Sequence, residues 1–249
     1  MFDLATVAAI GATFLLAGTV KGVIGLGLPT VSLGLLTAAL DLPTAMALLI
    51  VPSLATNLWQ AMSGGHGRVL LQRLWPFLLA ATVTVWLGAL ALTRVDVALL
   101  SGLLGLLLVS YAAMGLTGLH LTISAVQERW GGPVFGLANG ILTGMTGSFV
   151  VPGVMFLQAI GLSRDLLVQA MGMLFTVSTL ALALALQGNS LLTAQLGIAS
   201  AIALIPAILG MVLGQCIRKN LSEQLFRRVF FIAILCLGLY IVTAALGLR

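Results

Sequence analysis

The sequence predicts an all-α polytopic membrane protein made of two inverted repeats, each a glycine-broken helical hairpin followed by three transmembrane helices. Three observations lead there. Of 249 residues, 61% are hydrophobic and 7% charged, where a soluble domain carries about a quarter charged residues; mean hydropathy is +1.21. Apolar runs long enough to cross a bilayer recur along the chain, without the alternation of a transmembrane barrel. A glycine-rich break that leads to a proline interrupts the first run of each half.

The first run is apolar from Leu4 to Leu40 except at Lys21-Gly22-Val23-Ile24-Gly25-Leu26-Gly27-Leu28-Pro29-Thr30. As one helix it would be about 55 Å long, far beyond the roughly 30 Å hydrocarbon core, so it must bend, break or double back. Pro29 lacks an N–H and pushes its predecessor out of helical geometry. The break therefore separates a segment over Leu4–Val20 from one over Ile24–Leu40. A third starts at Leu42-Pro43, with proline in the first turn, and reaches about Met62. Ser63–Gln72 reads as a polar loop, and Leu74–Thr93 and Val97–Leu116 as spans. Gly118–Trp130 is the longest polar connection.

The second half repeats this order. Gly131–Ile160 is apolar but broken at Thr143-Gly144-Met145-Thr146-Gly147-Ser148 ahead of Pro152, and spans follow over Leu166–Leu186, Leu191–Ile217 and Leu225–Leu246. Lys21-Gly22 aligns with Asn139-Gly140, Leu42-Pro43 with Leu162-Ser163, and Gly88 with Gly210. These alignments predict a first repeat over 1–118, a loop over 119–130 and a second repeat over 131–249. If each broken segment is a hairpin, Arg68, Arg73, Arg129, Arg164, Arg218, Lys219, Arg227 and Arg228 share one face, leaving Arg94 and Arg249 opposite. That is a strong positive-inside signal. It makes the number of crossings per half odd, so the halves are inverted and the N-terminus lies outside. Asp3 is the lone early charge and no basic n-region precedes the first helix, which argues for a retained helix over a cleaved signal. An inner membrane suits this multi-pass chain.

The same composition narrows the chemistry. The basic residues are scattered through loops and helix ends, which fits topology and not nucleic-acid binding. Cys216 and Cys236 are far apart and expected to pack against apolar neighbours, and His66 and His120 lack a metal-binding neighbourhood, so no cofactor and no metal is expected. No phosphate-binding loop, H-E-x-x-H or nucleophile elbow occurs, which argues against an enzyme. Gly132, Gly136, Gly140 and Gly144 recur every fourth residue, like Gly210 and Gly214, and read as helix-packing stripes.

The residues Lys21-Gly22-Val23-Ile24-Gly25-Leu26-Gly27-Leu28-Pro29, Asn139-Gly140-Ile141-Leu142-Thr143-Gly144-Met145-Thr146-Gly147 and Val151-Pro152 resemble the sulfite exporter TauE/SafE-like family over nearly the whole chain. The family pattern is a glycine-rich break ending in proline, once per half. Leu28, Thr146 and Ser148 stand where glycine is common. The resemblance implies a secondary carrier, with export as its direction, for sulfite, a sulfonate or a related small anion. Coupling to a proton or sodium ion and assembly into a homo-oligomer both stay open, as do two other classes, an accessory membrane subunit and an intramembrane enzyme.

Broken helices offer freed N–H groups, here around Gly25 and Gly27, that favour anions. Lys21 adds a full charge beside the first break; its alternative role is snorkelling to the interface. Thr30, Thr143, Thr146 and Ser148 could donate hydroxyls to an oxyanion or satisfy local backbone. Asn57 and Gln60 are polar residues three apart in an apolar span, hence on one helical face, and must turn toward protein or a pathway. Asn139 is the predicted counterpart of Lys21, and Gln169 lies early in the related span of the second half. Membrane lipids are the other expected partner.

Overall fold

The break predicted in the first apolar run is where the first helix stops. The computed structural model describes residues 2–118, 122–218 and 222–247. Helix α1 (Leu4–Ile24) is capped at its start by Asp3, whose carboxylate accepts from Thr6 N at 2.9 Å. It ends at Gly25, left-handed with φ 78°, whose N–H donates to the Lys21 carbonyl at 2.8 Å. Gly27, with φ 105°, then opens α2 (Leu28–Ala39) with Pro29 in its first turn. Only a residue without Cβ adopts two such turns at no steric cost. Helix α1 therefore runs one turn beyond the predicted Val20. The hairpin arms are unequal: α1 rises about 31 Å and α2 returns about 18 Å.

Asp41 caps α3 (Leu42–Met62), accepting from Thr44 N at 2.8 Å, and the helix spans the residues the sequence marks. The polar loop after it is shorter than predicted, because α4 (Gly67–Val83) already starts at Gly67. The helix is interrupted at Thr84 and continues as α5 (Val85–Ala89) and a 3-10 turn, Leu90–Thr93, before α6 (Val97–Thr117).

Helix α7 (Ala125–Thr146) begins inside the predicted loop 119–130. A capping box between Ser124 and Gln127 starts it there, and Glu128 in its first turns is neutralised by Arg73, at 2.6 Å. Gly147 ends α7 as Gly25 ends α1: left-handed, its N–H on the carbonyl four residues back, Thr143. A return helix of seven residues, α8 (Gly153–Ala159), follows Pro152. Three long helices complete the chain: α9 (Arg164–Gly188), α10 (Ala194–Arg218) and α11 (Glu223–Ala245). Seven helical stretches among the described residues have the length and hydropathy of membrane spans; α2, α7 and α8 are not among them.

Helices pack mainly across the two halves. The most extensive contacts join α1 to α10, α6 to α11, α3 to α9, and α7 to α4 and α5. Two glycine seams make the closest of these. A methyl added at Gly18 would lie 2.1 Å from the Ala207 carbonyl oxygen, and one at Gly22 2.3 Å from that of Met211. Gly136, Gly140 and Gly144 are pressed in the same way on Phe77, Ala81 and Val85. Contacts advance together along both pairs, so α1 runs with α10 and α7 with α4. Along α6 and α11 they run oppositely, Gly102 meeting Ala245 and Gly115 meeting Phe231. Cys216 and Cys236 are exposed instead of packed as expected; on a spanning helix such a face meets acyl chains, which suit a thiol. Of the residues in the predicted charge split, Lys219 and Arg249 lie outside the described residues, as does His120.

Candidate functional site

Lys21 sits in the last turn of α1 and is 4% exposed. Its Nζ donates to Thr56 Oγ1 at 3.0 Å and to Asn57 Oδ1, both on α3. Snorkelling to an interface requires an ammonium in contact with water or head groups, which this burial excludes. Among the described residues no carboxylate partners the lysine: Asp3, Asp41 and Asp96 cap helices, Glu128 pairs with Arg73, and Asp165 lies in the first turn of α9. The charge is met by two neutral oxygens.

The shell around it is incompletely satisfied. Asn57 is fully buried, and with Oδ1 turned to Lys21 its Nδ2 has no partner. One turn earlier on the same face of α3, Ser53 Oγ is also buried and unpartnered. The Thr56 hydroxyl donates to the Pro52 carbonyl at 2.8 Å, leaving its lone pair for Lys21. The cluster therefore offers an ammonium, an amide N–H pair and a hydroxyl as donors, and such donors converge on oxyanions.

Helix α3 is held at this place by a repair from the other half. Pro52 has no N–H to give the Leu48 carbonyl. The Ser200 hydroxyl of α10 takes its place, donating to the Leu48 carbonyl at 2.7 Å and accepting from Val51 N at 3.0 Å. Pro52, Ser53, Thr56 and Ser200 were not singled out from sequence. A proline inside a span followed by small hydroxyl residues was the available signal for the first three, and none existed for Ser200.

The remaining predicted residues form two other groups. Around the second break, Asn139 Oδ1 accepts from Gly153 N at 2.9 Å, tying α7 to the start of α8. Thr143 Oγ1 donates to the Ser148 carbonyl at 3.0 Å, Thr146 Oγ1 donates to Leu142, and Ser148 N donates to Thr146 Oγ1. These hydroxyls hold the break closed. Asn139 Nδ2 is buried without a partner. By cap geometry the residue placed like Lys21, four before the glycine, is Thr143 and not the aligned Asn139. Thr30 is buried in the first turn of α2.

The third group latches α3 to α9. Gln60 Nε2 donates to the Val168 carbonyl and Gln169 Nε2 to that of Ala61, both at 2.8 Å, and Gln169 Oε1 accepts from His66 N at 3.1 Å. Gln60 thus turns to α9 while Asn57 turns to α1, although both stand on one side of α3. The two breaks do not converge on one point. Gly147 packs on Met46, ten residues before Thr56, which places them roughly 15 Å apart along α3.

The family described as sulfite exporter TauE/SafE matches residues 10–241 of the chain. No curated protein and no solved structure matches it significantly.

Proposed function

Because the chain belongs to the sulfite exporter TauE/SafE family of membrane transporters, we propose that it is a secondary carrier exporting a small sulfur oxyanion or sulfonate, with Lys21, Thr56 and Asn57 as its central contacts. One observation carries this reading: Lys21 is buried with neutral oxygens as its partners. A charge at membrane depth is costly, by ~2.5–3.5 kcal/mol on insertion scales, and an anion seated on Lys21 offsets it. Asn57 Nδ2 and Ser53 Oγ turn to the same anion, exchanging an unpaired state for a hydrogen bond.

Alternating access follows from inverted halves rocking about this shell, and helix directions support the inversion. Helix α3 runs with α1, since its C-terminal part meets Lys21 while Leu48 and Val51 meet the early part of α10. Helix α4 turns back from α3 and α7 runs with α4, so α7 opposes α1.

The test is concentration-dependent sulfite uptake into liposomes holding the pure protein. A charge-assisted bond is worth roughly 1.5–3 kcal/mol, so K21M should weaken apparent affinity about ten- to a hundredfold. Unchanged affinity in folded K21M protein would remove Lys21 from the site.

A further inference from the structure

We infer that the cleft between α6, α8, α9 and α11 is a binding site for an anionic phospholipid, its phosphate on Arg227 and Arg228 and its apolar part against the cleft wall. The cleft holds about 1030 Å³ and is lined by Tyr111, Met155, Leu167 and Phe231 with the two arginines. It lies at the basic end of the molecule. Gln60 and Gln169 join the end of α3 to the start of α9 there, Arg73 bridges α4 to Glu128 of α7, and α10 ends in Arg218.

Three features choose the ligand. Arg227 and Arg228 line the cleft side by side and form no hydrogen bond or ion pair within the described residues, and a phosphate matches the geometry of a guanidinium fork. Apart from Gln158, Gln224 and the two arginines the wall is mainly apolar, and the cleft is much larger than a small oxyanion needs, which fits an amphiphile at a membrane edge. The setting recurs at the opposite end with the opposite chemistry: a cleft of about 260 Å³ between the end of α2, the start of α6 and the end of α11 carries Asp41 and no arginine. A second cleft at the basic end holds Arg73 and Arg129, but Glu128 lies in it and pairs with Arg73, whereas the α6/α8/α9/α11 cleft carries two arginines and no carboxylate among its lining residues.

The experiment uses the full chain in neutral detergent, read by thermal unfolding and by native mass spectrometry. Phosphatidylglycerol should raise the unfolding temperature and remain bound, while phosphatidylcholine should do neither. R227Q/R228Q should weaken the apparent affinity for phosphatidylglycerol roughly thirtyfold. R68Q/R129Q, which removes as much charge from the same end, should keep it. Equal stabilisation by inorganic phosphate would reassign the cleft to a free anion. An unchanged response in R227Q/R228Q, or an equal response to phosphatidylcholine, would overturn the site. Should the double variant unfold in detergent, R227K/R228K decides: it keeps the charge but loses the planar fork, so retained affinity excludes bidentate binding and reduced affinity supports it.

Discussion

Lys21 stands in a shell of neutral groups, and if it seats the proposed anion its single charge sets a rule for what binds there. A monovalent anion is neutralised by it, whereas a divalent anion leaves a buried charge with an effective penalty of several kcal/mol. Methanesulfonate and sulfate share a compact sulfonyl head and differ in charge, so competition against labelled sulfite separates charge from shape. Methanesulfonate should compete at least about tenfold better than sulfate, and an equal or stronger effect of sulfate would show that further cations reach the site. Lys21 and Asn57 were legible in the sequence because each is an isolated polar group in an apolar run. Thr56 and Ser53 were not, since small hydroxyls are common in spans, where they usually bond the carbonyl one turn back, as Thr56 does. Ser200 acts on a helix 149 residues away, at Val51, and no local spacing encodes that.

At the scale of elements, the broken helices carry the architecture. The start of helix α3 was legible because Leu42-Pro43 places a proline in a first turn, and the Asp41 cap completes it. The start of α7 was obscured because Gln127, Glu128 and Arg129 look like loop, while the capping box and the Arg73 partner make them a helix. That the hairpin arms differ in length was also hidden, since apolar composition does not say where pairing with a neighbour ends. The opposed directions of α1 and α7 place the α3–α4 and α9–α10 connections on opposite faces. After Cys216 and Cys236 are replaced, a cysteine at Ser63 should be labelled from the cytoplasmic side and one at Ser190 from the other. Both positions are exposed. Labelling of both from one side would contradict the inversion.

On the scale of the whole molecule, the halves are exchanged partners. The first helix of each lies against the fourth helix of the other, and α3, α6, α9 and α11 close the structure by cross-half pairs. The glycine seams between the halves admit no methyl group, and the Lys21 shell spans that boundary through Ser200 and α3. The proposed alternating access would expose the site to one side at a time, which counterflow measures directly. Liposomes containing the pure protein are loaded with unlabelled sulfite and diluted into a trace of labelled sulfite. Preloaded vesicles should accumulate label transiently, several-fold above vesicles without preload and above protein-free vesicles. Label uptake that is absent, or identical with and without preload, would contradict an alternating-access sulfite carrier.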